Sequence, residues 1–312
     1  MILCCGEALY DFFLEPGAAE WPQLNYRAVP GGSPFNVARG LARLGRSAAL
    51  LTPLSNDYLG AQLRRLLEQE GVDSRYLLPR DLPTTLAMVS VDEGGQPQYG
   101  FYGERAPEAS LRPEELPTLE DEIAAVHFGS YALVSRPGGE ALQALAARES
   151  GRRLISLDPN LRLNVEPERT RWRQCLDIHR RHAHLIKVSV EDLTLLYPGQ
   201  EVEACARRWL APPCQLLLLT RGEQGVRVFS RRHGEWEHPA AAVQVVDTVG
   251  AGDSFQAALL CRLAELDRLS PDRLAALSRA ETEDLVRFAT RAAALTCARR
   301  GPDLPWREQL TD

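Results

Sequence analysis

The stretch Asp247-Thr248-Val249-Gly250-Ala251-Gly252-Asp253, running straight into Ser254-Phe255-Gln256-Ala257-Ala258-Leu259-Leu260, puts small residues and two carboxylates where the chain turns into a helix. Gly250, Ala251 and Gly252 let the backbone approach an anion closely. Their N–H groups join the unpaired amides of a helix start to make one positive concavity. Asp253 stands beside that hollow. A carboxylate cannot itself hold phosphate, so its natural task is to take the proton from a hydroxyl held against the terminal phosphate of a nucleotide. The plain structural alternative is a strand-to-helix turn with a capping aspartate.

Outward from this run, short apolar segments alternate with helical patterns. Ile2–Cys5, Ala48–Leu51, Ala125–Phe128, Leu154–Leu157, His184–Val188 and Gln215–Leu219 read as buried strands. Asn36–Leu44, Leu59–Glu70, Gly139–Glu149, Arg169–His179 and Glu201–Leu210 read as amphipathic helices. The alternation predicts an α/β fold with a mostly parallel sheet and helices on both faces, its ligands at the carboxyl ends of the strands. Residues 8–30 and 84–104 break the pattern, and Met88–Pro97 reads as a strand entering a hairpin.

Composition narrows the function. A chain of 312 residues, 45% hydrophobic, with no Ser/Gly/Pro linker, fits one principal domain. With 42 acidic against 36 basic residues and a net charge of −6, a nucleic-acid surface is not expected, and small molecules are the expected partners. All basic residues but Lys187 are arginine, which we read as compositional bias. The seven cysteines show no C-x-x-C pair and read as reduced thiols. The chain start lacks a basic leader pattern and the longest apolar run is far too short to span a bilayer, so a cytoplasmic setting without membrane contact is expected. Walker, dinucleotide-binding, zinc-protease and serine-hydrolase motifs are absent, and the six histidines show no base–nucleophile arrangement.

The Asp247–Asp253 run resembles the signature of the ribokinase-like (PfkB) carbohydrate kinases. Gly31-Gly32-Ser33-Pro34-Phe35-Asn36-Val37-Ala38-Arg39-Gly40-Leu41-Ala42-Arg43-Leu44-Gly45 resembles the family's first motif, a diglycine turn entering a helix. The resemblance covers nearly the whole chain. It implies that residues 8–30 and 84–104 form a small β-lid over a sugar, although an ordinary edge hairpin fits the pattern equally well. It further implies that Asp11, Gly31, Gly32 and Asn36 grip sugar hydroxyls with Phe101 in the lid, that Asp253 is the base, and that the Gly250, Ala251 and Gly252 amides receive the transferred phosphoryl.

Four further motifs follow from the same likeness. Asp158-Pro159-Asn160-Leu161-Arg162 resembles the D-P-N-x-R run of the fructokinase branch, with Arg162 close to the phosphates. Lys187-Val188-Ser189-Val190-Glu191-Asp192 is similar to a stretch containing an N-x-x-E motif linked to Mg²⁺ and phosphate, which implies that Lys187 and Ser189 bind the nucleotide, but here Ser189 replaces Asn and Asp192 replaces Glu. Glu191 and Asp192 would therefore reach the metal through water, or are simply helix-start acids favoured by the dipole. Thr220-Arg221-Gly222-Glu223-Gln224-Gly225 resembles the family's nucleotide loop, in which Gly222 and Gly225 let ATP lie against backbone; a bare hairpin turn looks the same. Thr290 flanks the adenine by analogy. Carbonyl oxygens around Asp247 and Val249, near Gly301, would form a site for K⁺.

The expected activity is ATP-dependent phosphorylation of a primary sugar hydroxyl, with fructose as first choice. Within the class, 2-keto-3-deoxygluconate and aminoimidazole riboside or ribose remain alternatives; from another class, a non-catalytic sugar or nucleotide sensor. Tyr99, Phe101, Tyr102 and Glu104 suit an uncharged ring, whereas Arg105 would suit an acid sugar or is a solvated lid-edge residue. A homodimer through the lid edges is a further expectation.

Overall fold

Leu216-Leu217-Leu218-Leu219 is apolar at every position, and such a strand must be covered on both faces. The computed structural model describes residues 1–15, 23–91, 97–103 and 106–310, and in it this segment is buried throughout. The chain runs β1 (Ile2–Cys5), β2 (Leu9–Leu14), β3 (Tyr26–Gly31), α1 (Ser33–Arg43), β4 (Ala48–Ser55), α2 (Tyr58–Gln69), β5 (Leu77–Arg80), β6 (Leu86–Val91), β7 (Pro97–Tyr102), β8 (Ala125–Gly129) and α3 (Gly138–Glu149). It continues through β9 (Leu154–Asp158), α4 (Arg169–Arg180), β10 (Leu185–Ser189), α5 (Val190–Leu196), α6 (Val202–Trp209), β11 (Leu216–Thr220), β12 (Val226–Ser230), β13 (Gly234–His238), α7 (Ala251–Glu265), α8 (Pro271–Ala275) and α9 (Arg279–Cys297).

Nine strands form one sheet in the order β13-β12-β11-β10-β9-β8-β1-β4-β5. Every pairing from β11 to β5 is parallel, while β12 and β13 add antiparallel at one edge. Side chains alternate across the pleat and feed two cores. Ile2, Cys4, Leu216 and Leu218 face α1, α2, α7, α8 and α9; Leu3, Cys5, Leu217 and Leu219 face α3, α4, α5 and α6. Each fully buried leucine contributes about 1.5–3 kcal/mol relative to exposure.

A second sheet, β3-β2-β6-β7, rises from the carboxyl edge of the first. Its β2 and β3 come from the segment 8–30 and its β6 and β7 from 84–104; β6 and β7 pair antiparallel as the hairpin reading requires. The expected hairpin turn at 92–96, residues 16–22, Glu104 and Arg105 lie outside the described residues.

Boundaries differ from the sequence expectation in ways that matter for the site. β9 runs on to Asp158, so this carboxylate belongs to the sheet rather than to the turn after it. α1 opens at Ser33, three residues before Asn36, and α7 opens at Ala251, which draws Asp253 into its first turn. Apolar patterning marks where a strand or helix is buried, and carries no mark for polar residues that are buried at its end.

Candidate active site

Parallel strands end together. β9, β10 and β11 finish side by side at Asp158, Ser189 and Thr220, and the first turn of α7 lies over this edge. Gly250 sits at the N-cap with φ +79°, a left-handed conformation, and a side chain there would come 2.8 Å from Pro302. Only glycine fits that corner. The Ala251 N–H turns back to the Thr248 carbonyl at 3.2 Å, while Gly252 and Asp253 hold first-turn N–H positions that an α-helix leaves without an internal acceptor.

Asp253 is buried, and both of its oxygens are held. Ser33 Oγ donates to Oδ1 at 2.6 Å and Asn36 Nδ2 donates to Oδ2 at 2.8 Å. Ser33 and Asn36 stand three residues apart, on one face of α1. The Asn36 amide nitrogen is taken up by Asp253, and its Oδ1, the atom left for the expected sugar contact, is buried with no partner among the described residues. That oxygen is the one acceptor Asn36 has left. Ser33 carried no sequence signal of its own, because a serine at a helix start reads first as a cap.

Beneath the loop lies the chain's single lysine. Lys187 Nζ donates to Asp158 Oδ2 at 2.8 Å, and a Cβ added to Gly252 would meet Nζ at 3.0 Å. Both partners are buried, and Asp192 and Asp253 lie within electrostatic reach of the ammonium. Burial pushes the Asp158 carboxyl up to about 6 even beside this charge, whereas Lys187 is held protonated above its ordinary range by Asp158 against the opposing effect of burial. The result is a fixed positive charge under the helix start.

On the other side of Asp253 stand Asp11 and Arg162. Asp11 leans over Gly31, where a Cβ would lie 2.3 Å from its Oδ2. Burial raises its carboxyl to about 6; nearby Arg162 offsets part of this and Asp253 adds to it. Arg162 is exposed, with Nη1 on the Leu161 carbonyl at 2.9 Å. Gly32 adopts φ +101°, and a side chain there would meet the Glu7 carbonyl at 2.6 Å, so the position takes glycine. Phe101 packs edge-on against Tyr131 with ring centres 5.2 Å apart, so it anchors the end of β7 to the main body.

The remaining expected residues fall around the same edge. Ser189 caps α5 by accepting from Asp192 N at 2.9 Å, and Asp192 returns the contact through Oδ2 while Oδ1 accepts from Leu161 N at 2.9 Å. Asp192 is thus engaged at both oxygens, which leaves exposed Glu191 as the freer acid. Among the described residues no group of three or more His, Cys, Asp or Glu side chains converges as a metal cage. The Asp247 carboxylate accepts from Val249 N at 3.0 Å and Gly301 N at 2.8 Å, which ties this loop to the turn at Gly301.

Gly222 is exposed at φ +55°, and Gly225 is wedged at φ +82° where a Cβ would strike the His238 carbonyl at 2.1 Å. They shape the tight turn from β11 to β12, whose first residue, Thr220, donates to the Val188 carbonyl at 3.4 Å. The Thr290 hydroxyl is turned to its own helix, donating to Val286 O at 2.8 Å.

The Lys187–Asp158 pair yields a stability prediction. Lys187→Met should lower unfolding free energy in denaturant by about 3–5 kcal/mol, since it strands a buried carboxylate, and adding Asp158→Leu should restore most of the loss. A single variant as stable as the parent would remove the pair as a structural requirement.

Comparison with known proteins agrees with this geometry. The description "pfkB family carbohydrate kinase" matches residues 1–309. The chain is 34% identical over 277 residues to a fructokinase of Rhizobium leguminosarum bv. trifolii, covering 89% of this chain and 84% of the relative. The fructokinase of Xylella fastidiosa with bound ATP superimposes with a TM-score of 0.88 at 26% identity, covering 99% of this chain and 96% of the other. A double-mutant Vibrio cholerae fructokinase, in its fructose, ADP and potassium ion bound form, gives a TM-score of 0.84 at 26% identity, covering 99% and 96%. The motif run, the parallel sheet and these full-length likenesses meet in one assignment: the chain belongs to the pfkB family of carbohydrate kinases.

Proposed function

We propose that this carbohydrate kinase transfers the terminal phosphoryl group of ATP to the 6-hydroxyl of fructose. The observation that carries the chemistry is the Asp253 carboxylate, buried at the first turn of α7 and fixed at both oxygens by Ser33 and Asn36. A base held in one rotamer beside a helix start can take a proton as phosphate arrives without first reorganising. Fructose is supported by the relatives and neighbours above, which carry that name.

Asp11, the Gly31–Gly32 turn and Asn36 Oδ1 form the acceptor side, where the sugar hydroxyls donate. The small sheet acts as a lid, with Phe101 at its root. Asp253 takes the hydroxyl proton as the oxygen attacks. Charge on the moving phosphoryl meets the Gly250–Gly252 backbone, the α7 dipole and Lys187 from below, with Arg162 free to swing in from the surface. ATP lies along the Thr220–Gly225 turn past Ser189 toward Thr290. Mg²⁺ fits this site as an ion held mainly by phosphates and water, with Glu191 reaching it through water, and supplies charge neutralisation between the phosphates. K⁺ fits the carbonyls of the Asp247–Val249 loop beside Gly301.

No helix among the described residues is long and apolar enough to cross a membrane, and all seven cysteines are free, which fits a reducing cytoplasm. Pairing of two copies through their lids is our reading of exposed Tyr26 and Tyr102 on the two edge strands; sedimentation mass decides it.

Three measurements test the reading. Asp253→Asn should keep fold and ATP affinity while turnover falls by roughly two orders of magnitude or more; near-normal turnover removes Asp253 as the base. Replacing a bulky organic cation by K⁺ at constant ionic strength should raise the rate, and equal rates would reject the cation site. In competition, fructose should show a higher kcat/KM than ketodeoxygluconate, because a carboxylate demands a fixed cation in the pocket. A higher value for the acid sugar that Arg105→Ala abolishes would transfer the assignment to that alternative.

A further inference from the structure

α1 begins without a cap of its own. Its N-cap is Gly32, which has no side chain to accept a hydrogen bond; at its φ of +101° an added Cβ would lie 2.6 Å from the Glu7 carbonyl, so no capping side chain fits there. Free N–H groups at a buried helix start need an acceptor. Glu7 supplies one from 26 residues away: its Oε1 accepts from Ser33 N at 3.1 Å. The same Ser33 donates its hydroxyl to the Asp253 carboxylate at 2.6 Å. One residue therefore joins the Glu7 carboxylate to the base.

Glu7 lies where the chain leaves β1 for the small sheet, 1% exposed. The chain's other crossings between the two sheets gather around it. Glu108, in the turn after β7, accepts at Oε1 from Thr85 Oγ1 at 2.8 Å and from the Tyr131 hydroxyl; Thr85 immediately precedes β6. Tyr131 feels the charge of Glu7, and Glu7 in turn feels that of Glu108. Burial pushes the Glu7 carboxyl up to about 7 against the opposing effect of Ser130 and the Ser33 amide, and its Oε2 has no hydrogen-bond partner among the described residues.

We propose that Glu7 is a positioning residue for phosphoryl transfer, capping α1 from the root of the small sheet so that Ser33 and Asn36 hold Asp253 in its reactive orientation. This rests on Asp253 being the base. Glu7 touches no reacting atom. Its effect passes through Ser33, and is felt in the rate rather than in affinity for ATP.

The test is steady-state kinetics on the full chain with Glu7→Leu, Glu7→Gln, Ser33→Ala and the Glu7→Leu/Ser33→Ala double variant, beside thermal midpoints. Glu7→Leu should lower kcat by about 10-fold or more with the KM for ATP within about twofold of the parent. Glu7→Gln keeps an acceptor for Ser33 N and should recover kcat to within about threefold of the parent. The double variant should be no slower than about twofold below the worse single, because both changes break one connection. A Glu7→Leu protein that only melts earlier with unchanged kcat overturns the proposal, as do effects that multiply in the double variant. Should Glu7→Leu fail to fold, Glu7→Thr, polar but too short to reach Ser33, stands in its place with the same expectations. Asp253→Asn separates the two readings: if it abolishes turnover while the Glu7 variants match the parent, the base stands and the positioning role falls; if it leaves turnover intact, the base reading falls first.

Discussion

Everything at the site hangs from the contact between the starts of α1 and α7, closed by the Asp253 carboxylate. Two helices meet closely enough for this only where their side chains are small. Gly40, on the same helix as Asn36, lies so near α7 that an added Cβ would be 2.7 Å from the Ala257 Cβ. Ala257 and Ala258 continue that thin seam. The clamp then costs little, since Ser33 and Asn36 are already ordered by the helix that presents them. A longer residue anywhere along the seam would open the distance that hydrogen bonds of 2.6 and 2.8 Å require.

The helix that presents Asp253 is held on its other sides by polar contacts as well. Ser254 Oγ and Thr296 Oγ1 are 2.6 Å apart between α7 and α9, and Gln256 Nε2 reaches down to Ser156 Oγ at 2.9 Å on β9. Ser156 also bonds His127 Nδ1 at 3.2 Å, and burial lowers that imidazole to about 3, so it stays neutral. Asp253, Ser254 and Gln256 point in three directions around the axis. Together they tie one turn of helix to α1, α9 and the sheet.

This polar turn explains what the sequence could and could not reveal. Gly250 to Asp253 was legible because phosphate chemistry asks for small residues and a carboxylate within a few positions, and the demand is local. The strands were legible from apolar runs, the small sheet from its break in rhythm. Ser33 and Asp253 lie 220 residues apart, and nothing in either neighbourhood reports the other. Asn36 was assigned to the sugar through the resemblance; that its amide nitrogen also binds Asp253 follows from α1 opening a turn earlier than its apolar face suggests. Asp192 was weighed between metal and helix-start roles, and its hydrogen bonds to Ser189 and Leu161 are those of a helix-start acid.

The scarcity of lysine was read as compositional bias while Lys187 itself was expected at the nucleotide, and its location gives a physical reason for a lysine at this position. The gap between Asp158 and the underside of Gly252 admits an ammonium, whose Nζ would already lie 3.0 Å from a Cβ on that glycine. A guanidinium is broader, planar and carries two further nitrogens beyond the point where the ammonium ends. In this gap those atoms would press into the Gly250–Gly252 loop or pull Asp158 off β9. Arginine serves the surface ion pairs of this protein and also buried ones such as Arg153–Glu149, where the pocket is shaped for the wider group, so the limit at Asp158 is one of shape and not of burial. Under a backbone loop this close, the charge has to be compact, and lysine is the side chain that supplies it.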